Sequence, residues 1–110
     1  MKYKVDYVRI RENYITLNGW VVGKKPTSQP SFHVYNSKME FKYVKTRRDD
    51  VSQTYFGKVY DEDYGFDIKF DYKRGDDYYL EITIDKQKKK IKYNEELIYK
   101  RSSVAYKRME

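Results

Sequence analysis

The sequence predicts an all-β protein. Most segments alternate apolar and polar residues with a period of two, which is typical of half-buried strands. Turn-forming residues recur about every ten positions, and no helical segment is long enough for a βαβ crossover. These observations together predict an immunoglobulin-like antiparallel β-sandwich of about seven strands, followed by a short helical or irregular C-terminal tail.

Length and composition narrow the domain organisation. A chain of 110 residues supports one compact core, so we assign residues 1–94 to the sandwich and residues 95–110 to a tail or linker toward a possible downstream catalytic domain. The absence of cysteine excludes disulfides and thiolate sites and is compatible with a reducing cytoplasm. No apolar run approaches the roughly 20 residues of a membrane helix, so we expect no membrane insertion.

The sequence of the first half of the chain predicts four strands. "YKVDYVRI" is a strand over Tyr3 to Ile10, and "YITLNGWVVG" is a second strand, in which Gly19 indicates a bulge or close backbone packing. "KKPTSQPS" contains two prolines and is predicted to be a loop. "FHVYN" and "MEFKYVKT" predict a hairpin that turns at Asn36 to Lys38. In this hairpin one inward face carries Phe32, Val34, Met39, Phe41 and Tyr43.

The second half predicts three further strands. "FDIKFDYK" alternates without a fault, and "KRGDD" is a turn that contains Gly75. "YYLEITID" and "KIKYN" follow. The residues predicted to face the core are Phe66, Ile68, Phe70, Tyr72, Leu80, Ile82, Ile84, Ile91 and Tyr93.

Six carboxylates lie between Arg47 and Phe70 and raise the question of a metal or catalytic site. "DEDYGFD" fails as an EF-hand loop, because Gly65 is fifth from Asp61 rather than sixth. We expect a solvated loop, with Asp49 or Asp50 as a helix N-cap and Gln53 completing a capping box. Paired-carboxylate catalysis would need a cleft for which the sequence offers no sign. We therefore predict no metal and no cofactor.

No catalytic residue is predicted elsewhere either. His33 is the single histidine and is expected on an outward face, and the chain contains none of the motifs GxSxG, HExxH or GxxxxGK[ST]. Trp20 is expected to line the core, because large rings are mostly buried. Outward aromatic rings are the better lead, since tyrosine suits binding surfaces. The candidate glycan-contacting residues are Tyr35, Tyr55, Tyr60, Tyr64 and Tyr79.

The basic charge is concentrated toward the C-terminus, where residues 86–110 contain 9 basic and 3 acidic side chains. "DKQKKKIKY" is typical of a lysine-guarded turn that enters an edge strand, and we favour that interpretation. The alternative is a polyanion-binding site, although nucleic acid is not the partner we expect. Its residues would be Lys86, Lys88, Lys89, Lys90 and Lys92.

The order of "NGWVVGK", "RRDDVSQTY", "YGFDIKFD" and "YYLEITI" resembles the accessory β-sandwich domain of Firmicutes sugar-transferring proteins. That domain precedes a family 2 glycosyltransferase catalytic domain or occurs in rhamnan-synthesis-type proteins. The resemblance covers Val5 to Tyr93, and the usual proline before Asp-Val is replaced here by Asp49. The positions that match the pattern are Gly19, Trp20, Arg48, Asp50, Val51, Gly65 and Phe66.

The resemblance implies a non-catalytic accessory domain of a bacterial cell-surface polysaccharide glycosyltransferase, which positions the acceptor glycan or the catalytic domain. Its implied partners are a cell-wall polysaccharide and a catalytic domain in the same chain, at a cytoplasmic location on the inner face of the membrane. The matching residues look structural: Asp50 caps a helix, Val51 plugs the end of the sandwich, Gly65 turns the chain and Phe66 fills the core. A polyanion-binding module and a purely structural interaction domain remain as alternatives.

Overall fold

The computed structural model describes residues 1–11, 13–36 and 41–94. This part of the chain contains seven strands and one short helix. They are β1 (Lys2–Arg11), β2 (Tyr14–Val22), β3 (Ser31–Tyr35), β4 (Lys42–Thr46), α1 (Asp49–Phe56), β5 (Gly65–Asp71), β6 (Tyr78–Ile84) and β7 (Gln87–Tyr93). The predicted tail falls in residues 95–110, outside the described residues.

The strands form two antiparallel sheets. One sheet has the order β1-β2-β5-β4 and the other the order β3-β6-β7. This is the arrangement of a constant-type immunoglobulin domain, in which the first, second, fifth and fourth strands face the third, sixth and seventh. The prediction of an all-β sandwich is confirmed.

The main core lies between the two sheets and is built by the alternation that the sequence shows. On β5, Phe66, Ile68 and Phe70 are buried while Lys69 between them is exposed. Leu80, Ile82 and Ile84 of β6 meet them from the opposite sheet. The side chains with 2% exposure or less in this core are Ile15, Leu17, Val21, Phe66, Ile68, Phe70, Tyr78, Leu80, Ile82, Ile84 and Tyr93.

A buried tyrosine fixes the entry to β6. Tyr78 is the first residue of β6, and its hydroxyl oxygen accepts a hydrogen bond from the backbone N–H of Lys73 at 2.7 Å. A tyrosine at the start of the sixth strand, bonded to the backbone a few residues upstream, is the tyrosine corner of immunoglobulin-like folds. Gly75, at φ 89°, makes the turn between the two residues, as predicted.

The predicted hairpin between β3 and β4 is wrong. β3 pairs with β6 and β4 pairs with β5, so the chain changes sheets between them. The predicted inward residues still meet, because the Phe32 ring lies 5.2 Å from the Tyr43 ring across the gap between the sheets. Met39 lies outside the described residues. Ser37 and Lys38 of the predicted turn also lie outside the described residues, so the correction concerns the pairing of the two strands.

Gly19 is a site of close backbone packing among three strands, as predicted. A Cβ at this position would stand 2.2 Å from the carbonyl oxygen of Lys4 and 2.9 Å from the Phe66 ring. The bulge itself lies on β1, where the pairing register shifts between Val5 and Tyr7 and leaves Asp6 as the extra residue. Gly19 thus admits the bulged strand and the Phe66 ring together.

The turn between β6 and β7 agrees with the lysine-guarded edge predicted from the sequence. Asp85 and Lys86 both have positive φ, the geometry of a two-residue type I′ hairpin loop, and β7 is an edge strand. The Asp85 carboxylate also accepts hydrogen bonds from the Lys24 N–H at 2.6 Å and the Ser28 hydroxyl at 2.8 Å. These bonds lower the pKa of Asp85 and tie the proline-containing loop to the turn.

Among the described residues, no helix is long and apolar enough to cross a membrane.

We predict that Tyr78→Phe lowers the free energy of unfolding by about 1–2 kcal/mol, because the Lys73 N–H loses its acceptor while the ring stays packed. Tyr79→Phe, one residue along on the outer face, is the matched control and should change it by less than about 0.5 kcal/mol. Chemical denaturation of both variants provides the measurement. Equal unfolding free energies for the two would refute the role of the corner.

Candidate functional site

The residues that carry the family resemblance meet at one end of the four-stranded sheet. Gly19 is paired with Phe66 and Trp20 with Gly65 across β2 and β5. Trp20 and Val51 belong to a second apolar cluster, on the side of the sheet opposite the main core, where α1 packs. The cluster consists of Trp20, Val22, Val51 and Tyr64, with Phe56 packed against it.

Arg48 links this end of the sheet to α1 and to the bulge on β1. Its aliphatic stem passes over Gly65, where a Cβ would stand 2.7 Å from Arg48 Cγ. The guanidinium donates to Asp6 at 2.8 Å and, through two nitrogens, to Asp50 at 3.0 and 2.9 Å. We call this arrangement the Arg48 clamp. Its guanidinium forms ion pairs with Asp6 in the bulge of β1 and with Asp50 in the first turn of α1.

Three expectations for these residues are wrong in detail. Neither Asp49 nor Asp50 caps α1; Arg48 occupies the N-cap position without a side-chain cap bond, and both aspartates lie in the first turn. Gln53 completes no capping box, since it donates to the Gly57 carbonyl at the other end of the helix. Gly65 does not turn the chain but begins β5 where Arg48 and Thr46 approach it.

The other two structural expectations have different outcomes. Val51 is buried beneath the helix on the outer side of the four-stranded sheet, rather than plugging the end of the sandwich. Phe66, at 1% exposure, fills the main core as expected.

The acidic segment does not converge on a site. Asp61 accepts a bond from Arg47 at 2.6 Å, and Glu62 accepts one from Gln29 at 3.1 Å. Asp67 lies on β5 and accepts a bond from the Asn18 amide at 2.7 Å. Within residues 1–11, 13–36 and 41–94, no group of three His, Asp or Glu side chains is arranged to hold a metal ion.

The five candidate tyrosines fall into separate groups. Tyr64 is not an outward ring: it is 2% exposed and donates its O–H to the Pro26 carbonyl at 2.8 Å. Tyr55 is exposed and lies 5.2 Å from the Trp20 ring, and Tyr60 lies beside Phe56. Tyr35 and Tyr79 are direct cross-strand neighbours on the other sheet. The structure therefore pairs Tyr35 directly with Tyr79, while Tyr60 and Tyr64 both pack against Phe56.

Tyr35 and Tyr79 belong to the outward side of the three-stranded sheet, which we call the lysine–tyrosine face. The alternation of each strand places nine residues there in three cross-strand rows. Every member is exposed or half-buried. The rows are Tyr35, Tyr79 and Lys92; His33, Glu81 and Lys90; and Ser31, Thr83 and Lys88.

Lys90 lies in the middle row of this face and contacts both tyrosine rings. Its ammonium lies 4.2 Å from the centroid of the Tyr35 ring and 5.6 Å from that of Tyr79, which orients the cation without neutralising it. The Tyr35 O–H donates to Glu81 at 3.1 Å, and this bond raises the pKa of the Tyr35 phenol. A cation, a carboxylate and two aromatic rings are thus adjacent on one flat surface.

The five lysines of the polyanion alternative divide between several surfaces. Lys88, Lys90 and Lys92 lie on the lysine–tyrosine face, and Lys92 also contacts Asp77 at 3.4 Å. Lys86 lies in the turn, and Lys89 points to the opposite side of β7. Glu81, Thr83 and Ser31 are not among the predicted site residues, although the period of two on β3 and β6 places them on the same face as Tyr35 and Tyr79.

Comparisons of the chain with protein-family models, with curated proteins and with solved structures found no match. The resemblance to the glycosyltransferase accessory domain therefore stays a prediction.

The clamp generates a stability prediction. Arg48→Met should lower the free energy of unfolding by about 1–2 kcal/mol, because Asp6, at 26% side-chain exposure, loses its charged partner. Arg47→Met is the matched control. Arg47 bonds the exposed Asp49 and Asp61, so its loss should cost less than about 0.5 kcal/mol. Thermal or chemical denaturation would show the difference, and equal losses would contradict the clamp.

Asp50 generates a pH prediction. The Arg48 guanidinium lowers the pKa of Asp50 from 3.8 to about 2. A lowered pKa in the folded state stabilises the protein above pH 4, and this contribution is lost as the pH falls from about 4 to 2. Asp50 is largely exposed, so screening keeps the effect below about 1 kcal/mol. Asp50→Asn should reduce the dependence of the unfolding free energy on pH in that window. An unchanged dependence on pH would contradict the assignment.

Proposed function

We propose that this chain is a non-catalytic β-sandwich module that binds an acidic polysaccharide through the lysine–tyrosine face. In this proposal it acts as an accessory domain of a bacterial cell-surface polysaccharide glycosyltransferase and positions the acceptor glycan. The glycosyltransferase context is supported by the ordered resemblance over Val5 to Tyr93. The binding role is supported by one observation: three lysines flank two paired tyrosines and a carboxylate on a single exposed sheet face.

The chemistry of this face favours a glycan with acidic groups and free hydroxyls. Lys88 and Lys90 are exposed ammonium groups that can donate to carboxylates or phosphates. Glu81, half-buried between them and Tyr35, accepts hydrogen bonds, as do the hydroxyls of Ser31 and Thr83. Sugar hydroxyls supply donors for these oxygen atoms.

The Glu81 carboxylate disfavours the binding of nucleic acid, which is the alternative function. The affinity of nucleic-acid-binding proteins depends on neutralising a dense row of phosphates, and Glu81 places a negative charge in the middle of such a row. The Tyr35 ring is moreover covered by the Lys90 ammonium at 4.2 Å, so the lysine would have to move before a base could stack there. A glycan supplies hydroxyl donors to Glu81 and can bind the lysine ammonium groups without stacking on Tyr35.

The binding prediction uses polygalacturonate as the acidic, hydroxyl-rich probe and dextran as the neutral one. The wild-type protein should bind polygalacturonate and not dextran. Lys90→Ala should weaken that binding about tenfold, since one charge-assisted contact is lost. Lys25→Ala removes an equally exposed lysine from a loop outside the face and should leave the affinity unchanged. Isothermal titration calorimetry would measure all four affinities.

Single-stranded oligonucleotide provides the decisive comparison. If it binds more tightly than polygalacturonate, with a steep salt dependence that Lys90→Ala reduces, the nucleic-acid alternative replaces this proposal. If no polymer binds, the chain is a structural interaction domain. Incubation with nucleotide sugars should yield no turnover, and turnover would contradict the non-catalytic assignment.

A further inference from the structure

A second basic surface lies on the opposite side of the molecule. The outward side of the four-stranded sheet, beyond the end that α1 covers, carries three cross-strand rows, and we call it the arginine–lysine face. The rows are Tyr7, Asn18, Asp67 and Val44; Arg9, Thr16, Lys69 and Lys42; and Arg11, Tyr14 and Asp71. Its four basic side chains are all exposed.

The middle row contains an electrostatic conflict. Lys42 and Lys69 stand directly opposite each other on β4 and β5, and like charges in that position destabilise a sheet. Arg9 adds a third cation to the same row. Among the described residues, no carboxylate forms an ion pair with any of the three. Asp67 and Asp71 flank Lys69 along β5 without forming an ion pair with it, so an anionic partner would relieve the repulsion further.

Two tyrosine rings form cation–π contacts with these cations. The Lys69 ammonium lies 3.9 Å from the centroid of the Tyr14 ring, and the Arg9 guanidinium lies 5.2 Å from that of Tyr7. Each cation therefore lies over one side of a ring and limits the stacking of a nucleobase there, while its charge remains available to solvent.

Apolar groups are exposed on the same face. Val44 is 64% exposed, the most exposed of the large hydrophobic side chains in the described residues, and Tyr7 is 48% exposed. They lie at the two ends of one row, on the outermost strands of the sheet. Exposed apolar side chains interspersed with cations are suited to the interface of a lipid bilayer, where tyrosine and aliphatic groups enter the headgroup layer.

We propose that the arginine–lysine face docks on an anionic phospholipid bilayer. Arg9, Lys42 and Lys69 contact lipid phosphates and carboxylates, and Val44 and Tyr7 enter the interface beside them. The positive charge and the exposed apolar groups carry this inference together, because a nucleic acid needs the first and gains little from the second. The proposal is independent of glycan binding, which uses the other sheet.

The test measures binding to vesicles of phosphatidylcholine alone and of phosphatidylcholine with phosphatidylserine at 7:3, by co-sedimentation. The wild-type protein should bind only the anionic vesicles. Lys42→Glu should weaken that binding at least about tenfold, since each basic residue near an anionic surface contributes roughly fivefold and the charge is reversed. Val44→Ser should weaken it several-fold without any change in charge.

These variants distinguish an effect on folding from an effect on vesicle binding. Lys42→Glu replaces a like-charge pair by a cross-strand ion pair with Lys69, so its melting temperature should be unchanged or higher while its vesicle binding falls. Lys88→Glu, on the lysine–tyrosine face, is the control with the same change in net charge. It should leave vesicle binding unaltered and weaken polygalacturonate binding, while Lys42→Glu should do the reverse.

Three results would overturn the docking proposal. The first is equal binding to both kinds of vesicle, or to neither. The second is vesicle binding that falls equally in Lys42→Glu and Lys88→Glu, which would show an effect of net charge alone. The third is a single-stranded oligonucleotide that binds in a manner sensitive to Lys42→Glu but not to Val44→Ser, which would assign the face to nucleic acid.

Discussion

The burial of alternating side chains between two sheets is the constraint on which every surface of this molecule depends. Leu17, Ile68, Leu80 and Ile82 are completely buried, and a slip of one residue in any pairing would turn such side chains into solvent. The register is therefore fixed by the core. Because strand side chains alternate, the register also fixes which lysines, arginines and tyrosines share an outward row. The two charged faces are in this sense consequences of the same apolar packing.

The irregular features of the fold are concentrated at one end of the four-stranded sheet and support each other. Gly19 leaves room for the carbonyl of Lys4, the bulge on β1 turns out Asp6, and Arg48 compensates that carboxylate while its stem crosses Gly65. Each feature would be costly alone: a carboxylate at about one-quarter exposure needs a partner, and a glycine weakens a strand. These residues therefore support the packing at this end of the sheet, and the ligand-binding proposals rest on other residues.

The sequence predicted the strands well and their neighbours less well. The alternation of apolar and polar residues on β2, β5 and β6 correctly predicted the core residues, because a strand that is buried on one face has an apolar residue at every second position. The connection from β3 to β4 was mistaken for a hairpin, since a turn signal is local whereas the change of sheet is decided by long-range pairing. The outward position of Tyr64 failed for a related reason: α1 covers the outer face at that end, and a single strand does not reveal what packs over it. Asp50 was assigned as a cap because of its position before the helix, but the guanidinium of Arg48 is the stronger partner.

Charge counted along the chain and charge displayed in space are different quantities in this protein. Residues 1–85 are nearly balanced, with 15 basic and 14 acidic side chains, which suggested that basic character belongs to the C-terminal region. In the folded protein, however, the acidic and basic side chains of this segment are unevenly distributed. Several of the acids are engaged by Arg47, Arg48 and loop hydrogen bonds, while Lys42 and Lys69 are brought together from segments 27 positions apart with no acid between them. Antiparallel pairing thus brings together cations that are distant along the chain, whereas Lys88, Lys90 and Lys92 of the other sheet come from one strand. Each sheet presents basic side chains outward, and the two binding proposals concern separate surfaces.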